Sequence, residues 1–406
     1  MCGEEAEFGR AAVAAAHGRR PMLVVARDLS GHEYETPPGH NLGGYALPGL
    51  LAAPAMALTG FDTIAQRTRA AVALRLAFLA LYALALAAAL AAIPCERRAI
   101  GGLLLALFSL FPLPLLSSVQ VQYDGAVSTL LLAVAIAAIV RGGDDGRLLP
   151  WLLAAGGFAV SLGKLEYVGV ALAAMLALAV WRRRPLAPVP FVAGVLAGSA
   201  LSWLLDRGNL VGGYDVMLRF SGIQEHVPLW TRVRAYLPAQ AALLWPLYVG
   251  LPAGVVGFAV TRERGRMLAP LVAALAVFVG YVAIAWRGDG FPRYFAPAFV
   301  LLPVALAQAT RWPRIVGALA LVAILPFGAH AWWSELHQRQ FALCRRTSSA
   351  FDARRWSTEE EASPPRCVPV IGMQSGPSFY SRRAPFACCG AQWTSEWPPL
   401  AAQLCR

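Results

Sequence analysis

The chain has 406 residues, 58% of them hydrophobic and 14% charged, with a formal net charge of +12. That balance excludes an ordinary water-soluble domain, because the apolar residues fall in repeated runs near the roughly 20 needed to cross a bilayer. It also excludes a nucleic-acid partner as the reading of the positive charge, since nearly all of it is arginine in short clusters between apolar runs, the pattern of membrane topology.

The chain opens acidic, with Gly3-Glu4-Glu5-Ala6-Glu7-Phe8-Gly9-Arg10. A proline-stiffened polar run follows, Tyr34-Glu35-Thr36-Pro37-Pro38-Gly39-His40-Asn41-Leu42. The apolar piece 43–58 is short for a span and carries Pro48 and Pro54. It reads as a juxtamembrane or re-entrant helix on the outer surface, which leaves Glu4, Glu5 and His40 outside as well.

Ten spans are predicted, at 70–93, 99–119, 125–140, 148–162, 165–180, 189–205, 239–260, 267–286, 295–309 and 315–333. The connectors between them alternate. Those at 95–98, 141–147, 182–184, 262–266 and 311–314 carry arginine clusters and belong in the cytoplasm. Those at 119–124, 163–167, 206–238 and 287–294, with the tail from 334, mix charge with Tyr, Gly, Asp or Glu and fall on the other side. The loop 206–238 sets apolar residues at near-helical spacing between arginines and reads as an interfacial segment. The organisation expected is therefore a first outer loop (1–69), a transmembrane domain (70–333) and an extracytoplasmic tail (334–406). The tail contains a predicted short strand at 367–373 and five cysteines, Cys344, Cys367, Cys388, Cys389 and Cys405. Their spacing matches no zinc site, and in an extracytoplasmic tail they would form disulfides of undetermined pairing.

Charged groups close to the hydrocarbon carry the chemical signal, because an ion at the centre of a span costs about 2.5–3.5 kcal/mol on insertion scales. Lys164 is the one lysine of the chain, in the turn Ser161-Leu162-Gly163-Lys164-Leu165-Glu166-Tyr167. It reads either as a cation held to meet an anionic headgroup, with Glu166 beside it, or as a snorkelling side chain paired with Glu166. Arg293 and Tyr294, in Trp286-Arg287-Gly288-Asp289-Gly290-Phe291-Pro292-Arg293-Tyr294, read as phosphate ligands or as interfacial anchors of the next span. Asp124 reads as a helix cap or as a group that orients an acceptor. Glu4 and Glu5 read as a general base or as part of a solvated N-terminus.

Together these pieces resemble the polyprenyl-phosphate-sugar-dependent glycosyltransferases of the GT-C fold. That superfamily includes protein O-mannosyltransferases, the aminoarabinose transferases of lipid A and a bacterial group of core-oligosaccharide transferases. Its first outer loop carries an acidic pair followed by a small and an aromatic residue, which Gly3-Glu4-Glu5-Ala6-Glu7-Phe8 is similar to, with Glu4 where Asp is usual. Thr36-Pro37-Pro38-Gly39-His40 keeps the prolines of a His-Pro-Pro-Leu-like element but not its order. Leu162-Gly163-Lys164 matches a Gly-Leu-x-x-Lys-like turn, Arg293-Tyr294-Phe295-Ala296-Pro297 an Arg-Tyr-x-x-Pro run, and 370–383 an outer C-terminal segment.

The resemblance implies an all-α, multi-pass GT-C-like bundle of about ten spans in a bacterial cytoplasmic membrane, with outer juxtamembrane helices and a small extracytoplasmic tail. It implies inverting transfer of a sugar from polyprenyl phosphate to a glycan, lipid or protein acceptor on the extracytoplasmic side. Glu4 or Glu5 would be the base, Lys164, Arg293 and Tyr294 the phosphate ligands, and His40, Asp124 and Glu166 the acceptor-side or supporting residues. A divalent metal is not indicated. The family carries a transmembrane helix before the acidic pair, so a start upstream of Met1 is expected, with a truncated non-catalytic copy as the alternative. A transporter or flippase for a lipid-linked or anionic solute is the competing class, and it would call for charges at mid-bilayer depth and internal repeats.

Overall fold

Backbone N–H and C=O groups inside a bilayer have no water to bond, so an apolar run must close its hydrogen bonds within itself as a helix. The computed structural model of the chain does so in every apolar run among the residues it describes. These are residues 15–16, 18, 24–27, 33–35, 46–59, 64–119, 124–144, 150–205, 230, 233–234, 237, 241–261, 264–284, 292–309, 328–333, 367–369 and 386–388. The chain divides into two compact units: Met1–Ala77, Asp206–Ile223 and Leu336–Arg406 form one, Phe78–Leu205 and Gln224–Glu335 the other.

In the first unit, strands β1 (Val24–Arg27) and β2 (Glu33–Glu35) pair antiparallel. Strands β3 (Cys367–Pro369) and β4 (Phe386–Cys388) do the same, in a register that sets Cys367 opposite Cys388. Of the strand predicted at 367–373, residues 367–369 form a strand and 370–373 lie outside the described residues. Helix α1 (Ala46–Thr59) has 14 residues, about 21 Å of rise, and buries Ala52 and Met56, four apart on one face. That length falls short of a ~30 Å hydrocarbon core.

The second unit begins within α2 (Ile64–Ala91). It continues through α3 (Arg98–Ser109), α4 (Pro112–Val119), α5 (Thr129–Asp144), α6 (Pro150–Ser161), α7 (Leu165–Trp181) and α8 (Pro188–Leu205). Then come α9 (Ala241–Val260), α10 (Arg264–Ile284) and α11 (Ala296–Ala307). Nine of the ten predicted spans coincide with these helices. The tenth, 315–333, lies outside the described residues except for its last six, which are helical. Among the described residues, four helices are long and apolar enough to cross a membrane, or five counting one bent pair. The others are shorter: α6 and α11, at 12 residues each, rise only about 18 Å.

The predicted span 99–119 is two helices, α3 and α4, bent by 70° at Leu110–Phe111. Two prolines cause the break, Pro112 and Pro114. Pro114 has no N–H to give the carbonyl of Leu110 four residues back, and a ring in that position crowds the helix. The indole Nε1 of Trp332 donates to the Leu110 carbonyl instead, at 3.0 Å, and the Tyr82 hydroxyl donates to that of Ser109, at 3.3 Å. The bend is therefore a finished structural element, its backbone oxygens supplied by side chains from elsewhere in the unit.

The centre of this unit is α11, all twelve of whose residues are buried. Small residues on its neighbours admit it. A Cβ at Gly250 would lie 2.6 Å from Leu302, and one at Gly101 would lie 3.2 Å from Ala307. Phe299 stacks on Phe111 at 5.8 Å and meets Phe108 edge-on at 6.5 Å. Glycines also set the tightest helix pair, α6 against α8, where a Cβ at Gly157, Gly194 or Gly198 would run into Phe191, Ala154 or Phe158 backbone. Gly194 and Gly198 stand four apart, the small-xxx-small pattern of close helix contacts in membranes.

The arginine clusters have a structural use beyond setting sidedness. A helix leaves its last four carbonyls without partners, and here arginines from other connectors or the next turn supply donors. Arg141 Nε donates to the Ala91 carbonyl at 2.7 Å, Arg97 to that of Gln308, and Arg264 to those of Ala259 and Thr261. The connectors at 95–98 and 141, together with the end of α11, accordingly meet at one end of the unit.

Candidate functional site

At the other end, three of the stretches singled out in the sequence converge. Helix α6 stops at Ser161, and N–H groups of Leu162 and Gly163 bond the carbonyls of Ala159 and Val160. Lys164 follows in extended conformation as the N-cap of α7, its carbonyl accepting from Tyr167 N–H at 3.1 Å. A cation at a helix N-terminus opposes the helix dipole, so its ammonium needs a partner elsewhere. It finds the ring of Tyr294, with Nζ 5.0 Å from the ring centroid. Glu166, in the first turn of α7, is exposed and carries the sign that turn favours.

Tyr294 sits in a short 3₁₀ turn, Pro292–Phe295, that leads directly into the buried helix α11. Its ring lies flat on that of Tyr281 from α10, at 4.6 Å between centroids and 7° between planes. Tyr281 in turn packs against Tyr167 at 6.0 Å and Phe295 at 6.3 Å, all three buried. Phe295 continues the aromatic wall through Phe278, at 5.5 Å, to Tyr248, at 6.0 Å from Phe278. Lys164 thus stands on an aromatic floor anchored in the core.

The turn that bears Tyr294 also touches α4 and the π-helical turn Asp124–Ser128. Gly125 permits that turn, since a Cβ there would come within 2.6 Å of Ser117 backbone. The Ser118 hydroxyl ties it to α4, bonding the carbonyls of Pro114 at 2.9 Å and Gly125 at 3.0 Å. Backbone positions 124, 164 and 293–294 are brought to one end of the unit, as their assignment to one set of loops required. The side chains of Asp124 and Arg293 lie outside what the structure describes, and Glu4, Glu5 and His40 lie wholly outside it. Among the described residues no group of three His, Cys, Asp or Glu is placed to hold a metal ion.

Sequence reasoning missed Tyr281 and Tyr248. Each was an aromatic in a long apolar run, where an interfacial or core role needs no special account; Tyr281 alone stands near a helix end. It named Tyr167 within a motif without assigning it work.

No protein-family model matches the chain, and no curated protein matches it either. Among solved structures it is similar to the crystal structure of ArnT from Cupriavidus metallidurans bound to undecaprenyl phosphate, at 15% identity and a TM-score of 0.51. It is also similar to the apo state of ArnT from the same organism, at 14% identity and a TM-score of 0.45. Each match covers 87% of this chain and 60% of the other, so the chain spans three-fifths of the length of the protein it resembles. The ligand-bound match shows the fold, a multi-pass helical membrane bundle of the GT-C kind; the four short strands of the first unit depart from the all-α expectation.

Proposed function

We propose that the chain is a membrane glycosyltransferase that moves a sugar from a polyprenyl-phosphate donor to an acceptor hydroxyl. It works on the extracytoplasmic face of a bacterial cytoplasmic membrane, where its C-terminus also lies. The observation that carries this reading is the ammonium of Lys164 held 5.0 Å over Tyr294, at the end of the bundle that also gathers positions 124 and 293. The likeness in fold to a structure that binds undecaprenyl phosphate supports the same ligand chemistry here.

In this reading Lys164 and Arg293 hold the donor phosphate, with the Tyr294 hydroxyl as a further donor. The acceptor oxygen attacks the anomeric carbon from the face opposite the phosphate, which inverts that centre. The bond from the anomeric carbon to the phosphate oxygen breaks, its electron pair leaves on polyprenyl phosphate, and the two cations stabilise that charge. Glu4 or Glu5 takes the acceptor proton. His40, Asp124 and Glu166 shape the acceptor side.

The test is transfer in proteoliposomes supplied with defined polyprenyl-phosphate sugars. Transfer in the parent protein, lost in Lys164→Ala and in the Glu4→Ala/Glu5→Ala pair, is the expected result. Transfer unchanged in the glutamate pair removes the base assignment, and transfer unchanged in Lys164→Ala removes the phosphate site.

A further inference from the structure

The opposite end of α7 lies about 25 Å from Lys164, the rise of its 17 residues. There the helix closes on three consecutive arginines. The N–H of Arg182 bonds the Leu178 carbonyl at 2.9 Å, that of Arg183 the Val180 carbonyl at 3.1 Å, and that of Arg184 the Ala179 carbonyl at 2.9 Å. This is the Schellman closure, and its pivot is Arg183, at φ 54°. The left-handed region at that position suits glycine, which has no Cβ to strain it. The chain holds 37 glycines and keeps an arginine here. Among the described residues it is the one non-glycine with positive φ. Arg183 and Arg184 are both exposed.

The surroundings have the composition of a headgroup site. Trp181 is half exposed, at 47%, and is braced edge-on against Phe258 of α9 at 5.7 Å. Leu186, 77% exposed, stands on the other side of the arginines. Gly265, in the first turn of α10, brings a second cluster alongside: a Cβ there would lie 3.6 Å from the Trp181 indole and 3.7 Å from Arg182 Nε. Across the two connectors, 181–187 and 261–266, the sequence sets six arginines against one glutamate, Glu263. Arg264 is engaged at the end of α9, through the carbonyls of Ala259 and Thr261. Topology alone asks only for positive charge in a short loop. It does not ask for a strained backbone, a braced indole and two converging clusters. Strain retained at a surface position points to use of the side chain that bears it.

We propose that residues 181–187 and 264–266 form a binding site for the phosphate of an anionic membrane phospholipid. Arg183 and Arg184 present guanidinium forks to the phosphate, Arg182 closes the site from the α10 side, and Trp181 and Leu186 lie among the first acyl carbons. The site is remote from Lys164 and stands whether or not the chain transfers sugar.

The test compares the parent protein with Arg183→Gly, Arg183→Lys and the pair Arg182→Gln/Arg184→Gln, each in nanodiscs of phosphatidylcholine with or without phosphatidylglycerol. Native mass spectrometry counts the lipid retained after release. The parent retains phosphatidylglycerol over phosphatidylcholine. Arg183→Gly lowers that retention about fivefold, the effect of one arginine near an anionic surface. Its unfolding temperature in phosphatidylcholine does not fall, because glycine fits the left-handed position. Arg183→Lys keeps most of the preference. Equal retention of the two lipids by the parent, or undiminished retention in both Arg183→Gly and the glutamine pair, overturns the proposal. So does inorganic phosphate alone raising the unfolding temperature as much as the lipid does, which would make this a site for soluble phosphate.

Discussion

Replacing Tyr294 tests whether the aromatic floor holds Lys164 for a ligand or merely shares space with it. Lysine carries about 2 kcal/mol of side-chain rotamer entropy, part of which a free ammonium must lose on meeting a phosphate. With Nζ already 5.0 Å over the Tyr294 ring, that loss is borne before the ligand arrives. A cation–π contact is worth about 0.5–1 kcal/mol exposed and about 2 when desolvated. Both residues are half-buried, so about 1 kcal/mol is the appropriate figure, roughly a fivefold change in affinity. Tyr294→Phe keeps the ring and isolates the hydroxyl; Tyr294→Leu removes the ring. Titration of polyprenyl phosphate into nanodisc-embedded protein reads the difference without relying on transfer. The expected order is parent, then Phe, then Leu, with Leu about fivefold weaker than Phe. Tighter binding in Tyr294→Leu would mean that the ring competes with the phosphate for the ammonium, and the reasoning would be wrong in sign.

Tyr281 lies flat beneath Tyr294, so Tyr281→Phe leaves polyprenyl-phosphate affinity near the parent value while Tyr281→Leu lowers it, by the ~0.5–1.5 kcal/mol of a stacked pair. An equal loss in both variants would assign the effect to the hydroxyl instead. Gly198→Leu forces a Cβ to 2.7 Å from the Phe158 carbonyl oxygen and destabilises the α6–α8 pair by about 1–3 kcal/mol, whereas Gly169→Ala, which meets nothing within 4 Å, leaves the unfolding temperature unchanged. Tyr82→Phe removes the hydroxyl that donates to Ser109 at the bend and costs about 1–3 kcal/mol, read as a lower unfolding midpoint in detergent. Arg141→Ala strips donors from the end of α2; the pairing is solvent-accessible, so about 0.5–1.5 kcal/mol is expected, and Arg141→Lys recovers only part of it.

The sequence by itself determined where the helices are. Long apolar runs in a bilayer have one way to satisfy their backbone, and nine of ten predicted spans stand as helices for that reason alone. It also showed that arginine clusters and mixed-charge loops alternate, and Arg97 and Arg141 of two arginine-bearing connectors donate to the ends of neighbouring helices, at Gln308 and Ala91. Lys164 and Tyr294 were each legible, as the one lysine of the chain and as part of an Arg-Tyr run. Only the tertiary structure decided that they meet, and that Tyr281 and Tyr167 lie beneath them. It likewise decided that α11 is the buried centre and that the bend at Leu110–Phe111 is completed by Tyr82 and Trp332. The reason is one of range. Spanning and sidedness follow from free energies that each segment settles with the solvent around it, residue by residue. Which side chain stacks on which depends on glycines and prolines that let particular helices approach, and on partners far away in the chain, which no local pattern records.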